Sequence, residues 1–124
     1  MACILLIEPD YALSELYRVH LESEGYEVLQ RKTAESAVMA LDEQSVQLVI
    51  LELQLAVHNG VEFLYEIRSY PEWQSLPVLL HTNVRKNVLP QDALQRLGIT
   101  KYMYKPTSNL QDLSKAIKKI LSAS

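Results

Sequence analysis

VQLVILEL, residues 46–53, is a short and almost wholly apolar run that closes on one acid, Glu52. Its four consecutive aliphatics, Leu48, Val49, Ile50 and Leu51, have the pattern of a strand buried on both faces, as in the middle of a parallel sheet. A carboxylate at the end of such a strand is costly to bury alone. Glu52 therefore sits at the mouth of a crevice, or is paired there, and the flanking runs show what it could meet.

On the N-terminal side, residues 3–7 (CILLI) form another continuous apolar run, stopped by Glu8-Pro9-Asp10. Asp10 is placed to cap the next helix, where an acid also suits the helix dipole. Residues 11–24 carry Leu13, Leu16, Tyr17, His20 and Leu21 near helical spacing, and Gly25 closes that helix. Residues 26–29 read as a short strand. Thr33 reads as the N-cap of a second helix, with Ala34, Ala37, Val38 and Leu41 at i, i+3, i+4 and i+7. On the C-terminal side, residues 54–59 read as a loop and Asn59-Gly60 as a turn. Val61, Leu64 and Ile67 make the stripe of a third helix, ended before Pro71. Pro77 opens a buried run at 78–82 (VLLHT). Pro90 suits the first turn of a fourth helix holding Ala93, Leu94 and Leu97, closed by Gly98. Residues 102–104 read as a last strand. Asn109 caps a final helix with Leu110, Leu113, Ile117, Ile120 and Leu121 inward and Lys115, Lys118 and Lys119 on its other side.

Buried strands thus alternate five times with amphipathic helices. The pattern predicts one α/β domain over 1–124, a doubly wound parallel sheet with helices on both faces. Such sheets bind ligands beyond the carboxyl ends of their strands. Here those ends carry Glu8 and Asp10, Glu52, Thr82 and Lys105. A net charge of -3 gives no broad pull toward nucleic acid or an anionic membrane. No run is long enough to span a bilayer. The start of the chain lacks the pattern of a signal peptide, so a cytoplasmic location is expected. The single cysteine, Cys3, forms no intramolecular disulfide and reads as a buried, inert thiol.

The strand-end residues form one chemical set. Carboxylates at adjacent strand ends suit Mg²⁺, a hard cation that wants oxygen ligands. A lysine neutralises a phosphoryl oxygen, and a threonine hydroxyl donates to another. On ILLIEPD, LVILELQLAVHNGVEFLYEIR, LPVLLHTN and YMYKP, the sequence resembles the receiver domain of bacterial response regulators along essentially its whole length. The resemblance implies a flavodoxin-like (βα)5 fold with strand order 2-1-3-4-5. It further implies a phosphoryl group passed from a histidine kinase to an acid at the third strand's end, and Mg²⁺ held by acids after the first. A Thr/Ser and a Lys then contact the phosphoryl group, and a fifth-strand aromatic moves with the Thr/Ser.

Carried over position by position, Thr82, the switch aromatic Tyr102 and Lys105-Pro106 are present. Glu52 stands at the phosphoacceptor position, where the family has Asp. Glu8 fills the first acid position, Pro9 the second, and Asp10 falls one place later. The metal set is then Glu8, Asp10 and Glu52, with Pro9 counting against it. Ala56, His58, Asn83 and Thr107 also depart from the family pattern. Glu52 is longer than Asp by about 1.5 Å, and in-line phosphoryl transfer depends on nucleophile placement.

These departures predict a degenerate receiver, a signalling module rather than an enzyme. It is expected to act through protein–protein contacts of the fourth helix, fifth strand and fifth helix, with a histidine kinase, an effector domain or a second copy as partner. Direct nucleic-acid binding is not expected. A functional phosphoacceptor that uses Glu52 or another acid with Mg²⁺ is the alternative. A small flavodoxin-like nucleotide or flavin binder stands behind it, for the three glycines are scattered and form no phosphate loop. His81, beside Thr82 on a buried strand, is expected on the opposite face as a hydrogen-bonded core histidine. His20 is expected to be partly buried on its helix, and His58 to be a solvated loop side chain.

Overall fold

β1 (Cys3–Ile7), β2 (Glu27–Arg31), β3 (Leu48–Leu51), β4 (Val78–Thr82) and β5 (Lys101–Tyr104) alternate along the chain with α1 (Tyr11–Ser23), α2 (Ala34–Glu43), α3 (Gly60–Arg68), α4 (Gln91–Arg96) and α5 (Leu110–Ser122). The structure is a computed structural model that describes residues 1–55, 59–89 and 91–123. The strands form one parallel sheet in the order β2-β1-β3-β4-β5. Among the described residues no helix is long and apolar enough to cross a membrane.

Every residue of β1, β3 and β4 is buried, because both sheet faces are covered. Leu5, Ile7, Val49, Leu51, Val78 and Leu80 point to one side, against α2 and α3. Ile4, Leu6, Leu48, Ile50 and Leu79 point to the other, against α1 and α5. The period of two along each strand divides one apolar run between two cores.

Register places the strand ends. Ile7 pairs with Leu51, so Glu8 and Glu52 leave the sheet side by side, and the Glu52 N–H donates to the Ile7 carbonyl at 3.0 Å. Thr82 pairs with Tyr104, so Lys105 emerges beside the end of β4. Three helices begin on the side-chain caps that were expected, Asp10, Thr33 and Asn109, and α3 begins on Asn59. Asn59 corrects the sequence reading, since Asn59-Gly60 is a cap and a first helical residue rather than a turn. Leu16 is half exposed, at 50%, while Ser14 is buried and accepts from Gln30 Nε2 at 2.8 Å. The buried face of α3 is Gly60, Phe63, Leu64 and Ile67; Leu64 and Ile67 are the expected ones, Val61 packs partly buried against the same core, and Phe63 is the addition.

Gly60 is where α3 presses on the end of β3. A Cβ there would lie 2.8 Å from Leu53 Cα and 3.2 Å from the Glu52 carbonyl. Backbone cannot yield as a flexible side chain does. Gly60→Ala is therefore expected to cost about 1–3 kcal/mol by overpacking, despite the better helix propensity of alanine. Urea unfolding at neutral pH measures it, and an unchanged midpoint would count against this contact.

Candidate functional site

Glu8 and Glu52 are each 3% exposed, and the Lys105 side chain only 8%. Three ionisable groups this deep need one another. Lys105 Nζ donates to Glu8 Oε1 at 2.5 Å and to Glu52 Oε1 at 2.8 Å, so one ammonium bridges the two acids. The remaining oxygens are also met. The Asp10 N–H donates to Glu8 Oε2 at 3.1 Å. Glu52 Oε1 accepts the Asn83 N–H at 3.2 Å. Glu52 Oε2 accepts the Gln54 N–H at 3.0 Å and the Thr82 hydroxyl. Among the described residues, no buried side-chain nitrogen or oxygen is left without a partner.

This wiring decides the protonation states. Burial pushes the Glu52 carboxyl up, but the donors Lys105, Thr82 and the Gln54 N–H outweigh it and hold the group below its ordinary range. Burial pulls Lys105 down, and its bonds to Glu52 and Glu8 more than reverse that. Both groups are therefore charged at neutral pH. Three main-chain N–H groups and the Thr82 hydroxyl also face the two acids.

A second chain of bonds runs outward from Thr82. Its Oγ1 accepts the Val84 N–H at 3.1 Å. The Tyr102 hydroxyl donates to the Val84 carbonyl. Lys86 Nζ lies 5.9 Å from the centre of the Tyr102 ring, and the Arg85 guanidinium 5.9 Å from that of Tyr104. The segment after β4 is thus tied to Glu52 at one end and to the β5 tyrosines at the other.

Of the residues expected at the site, Glu8, Glu52, Thr82 and Lys105 converge, and Tyr102 joins through Val84. Asp10 takes a different post. Its side chain is exposed, and Oδ1 accepts the Leu13 N–H at 3.0 Å as the α1 N-cap. The Asn83 side chain is exposed too, and its contribution is the main-chain N–H. Reading side-chain types had no means of finding this donor or that of Gln54. His81 faces the other core, 4% exposed, with the Tyr17 ring edge-on at 5.1 Å. His20 is partly buried and meets Ser114 Oγ at 2.6 Å. Cys3 is buried, and burial pushes its thiol up to about 11. Ala56 and His58 lie outside the described residues.

Mg²⁺ asks for oxygen ligands in near-octahedral array at about 2.1 Å. Here the gap between the two buried carboxylates is spanned by the Lys105 ammonium, Pro9 offers no side-chain oxygen, and Asp10 caps a helix. Among the described residues no three His, Cys, Asp or Glu side chains stand together as a metal-holding group. With the Lys105 ammonium in place, the donor set does not fit the ion.

Residues 4–118 match the family model described as the response regulator receiver domain. The alginate biosynthesis transcriptional regulatory protein AlgB of Pseudomonas aeruginosa is 33% identical over 106 residues, which are 85% of this chain and 23% of that protein. The transcriptional regulatory protein CpxR of Klebsiella pneumoniae is 32% identical over 121 residues, 98% of this chain and 50% of its own length. The chain thus spans half or less of these two relatives. Among solved structures, the chemotaxis response regulator CheY4 of Vibrio cholerae superposes with a TM-score of 0.86 at 21% identity, covering 97% of this chain and 98% of its own. Response regulator TrrA of Thermotoga maritima, solved in complex with Mg²⁺-BeF, gives 0.83 at 24% identity, covering 97% of this chain and 99% of its own.

Proposed function

We propose that this chain, which belongs to the response regulator receiver domain family, is a receiver-like signalling module that acts through protein–protein contact without ordinary aspartyl phosphorylation. One observation carries the reading. Glu52, at the phosphoacceptor position, has both carboxylate oxygens engaged by four donors: Lys105, Thr82 and the Asn83 and Gln54 N–H groups. Thr82 and Lys105 are the groups expected to receive a phosphoryl group, and both are already bonded to a carboxylate. Glu52 carries one negative charge, against roughly 1.5–2 for a phosphoryl group, so it fills that place only in part.

In this reading the Glu52–Thr82 contact holds the segment after β4 in place, and the α4-β5-α5 face meets the partner. A groove of about 780 Å³ runs between β5 and α5, lined in part by Tyr102, Tyr104, Lys115, Lys119 and Ile120. Lys101 also lines it, and among the described lining residues Asp112 is the one acid beside three lysines. The apolar floor and basic rim suit a protein partner that presents acidic residues.

The test is incubation with Mg²⁺ and acetyl phosphate, followed by intact mass. The unmodified mass is expected. A stoichiometric, base-labile phosphoryl adduct would overturn the reading in favour of a working phosphoacceptor at Glu52 or another acid.

A further inference from the structure

We infer that Lys105 is the resident cation of the acid pocket, and that its ammonium excludes a divalent metal ion from the place between Glu8 and Glu52. Three features of the site meet in this. The ammonium contacts one oxygen of each buried carboxylate, at 2.5 and 2.8 Å, and so stands where an ion shared by both acids would stand. An ion bound to the same two oxygens would crowd Nζ, and like charges that close repel strongly in a buried site. The other two oxygens are turned to the Asp10 and Gln54 N–H groups and the Thr82 hydroxyl. An incoming ion would therefore have to break main-chain bonds as well as displace the lysine.

The neighbouring positions offer no way round. Pro9, between Glu8 and Asp10 in the chain, has no side-chain ligand atom. Asp10 would have to give up the α1 cap to turn inward. The pocket is thus complete with a monovalent cation carried by the chain itself. That cation is covalently tethered and needs no loading from solution, so the arrangement of Glu52, Thr82 and Asn83 is the same whether or not metal is present. The corollary is that the cation position is latent. Removing the ammonium leaves two buried carboxylates side by side, and a divalent ion becomes the partner they lack.

The experiment is thermal unfolding with and without about 10 mM Mg²⁺. A site of about 0.1 mM affinity would raise Tm by about 10 °C at that concentration. The wild-type chain is expected to show no site-dependent rise, and a rise abolished by Glu8→Gln would overturn the inference. Lys105→Ala is expected to melt lower and to recover part of the loss on adding Mg²⁺, the recovery vanishing when Glu8→Gln is added. Failure of Mg²⁺ to restore any stability to the folded variant would also overturn it. Should Lys105→Ala not fold, Mn²⁺ titration of the wild-type chain followed by amide NMR decides. Broadening centred on Glu8, Glu52 and Asn83 overturns the inference, and its absence there supports it. The outcome is separable from the phosphorylation test: metal uptake with no phosphoryl adduct would remove this inference and leave the proposed function standing.

Discussion

Lys105→Met is expected to lower folding stability by about 3–5 kcal/mol at neutral pH, the cost of stripping the partner from a buried charge. The substitution keeps the length and apolar stem and removes only the ammonium. Glu8 and Glu52, each 3% exposed, would then face each other with no cation between them. The Asp10, Gln54 and Asn83 N–H groups remain, but peptide dipoles do not replace a full charge. The pH dependence identifies the cause. In the variant Glu52 keeps its burial but loses the Lys105 bond that helps hold its carboxyl down, so it takes up a proton at higher pH than in the wild type and the deficit shrinks as pH falls. The loss is therefore expected to be smaller at about pH 5.5 than at about pH 7.5. Adding Glu52→Gln to Lys105→Met removes one uncompensated charge and is expected to recover part of the loss, a non-additivity characteristic of residues in one network. Urea unfolding of the two variants at both pH values measures this. A loss under about 1 kcal/mol would mean that the ion pairs behave as surface ones.

The sheet was legible because a doubly wound fold writes itself twice, in the length of its apolar runs and in the punctuation between them. Leu48–Leu51 and residues 78–80 have no polar face to spare, and nothing but burial on both sides accommodates them. Once the strands are parallel, register carries their carboxyl ends to one edge, and Glu8, Glu52, Thr82 and Lys105 follow without further information. Asp10 shows where residue type stops deciding. An acid after a strand and before a helix serves as a ligand or as a cap, and three-dimensional geometry settled it as a cap. The α3 stripe was incomplete for a related reason: Leu64 and Ile67 are buried as expected, but Phe63 joins them. Gly60 has no side chain, so the helix start closes onto Leu53, a contact invisible to a count of apolar positions. Leu16 is half exposed while Ser14 is buried with a partner in Gln30, a tertiary contact that leaves no periodic trace.

The second large effect concerns His81, on the face of β4 opposite Thr82. Burial, then the Lys105 ammonium, push its ring down from 6.5 to about 4, with Glu52 pulling the other way. In the unfolded chain the ring takes up a proton near pH 6.5, and in the folded protein it resists until about 4. Between those values the unfolded state binds more protons, so stability is fully present above about pH 6.5 and drains away as pH falls toward 4. At about 1.4 kcal/mol per unit, the full shift is about 3 kcal/mol, of which about 2 is lost by pH 5. Glu52 works in a separate window, since its depressed value means that its contribution is lost only below the ordinary carboxylate range. His81→Phe keeps a ring against Tyr17 and removes the titration. Whatever offset the larger ring introduces at neutral pH, the variant is expected to gain about 2 kcal/mol on the wild type between about pH 7.5 and pH 5. The other two histidines are unchanged in the variant, so the difference reports on position 81. His81→Leu, which gives up the ring contact, is expected to show the same relative gain from a lower starting stability. Parallel stability curves for wild type and both variants down to about pH 5 would show that the buried ring does not set the acid limb.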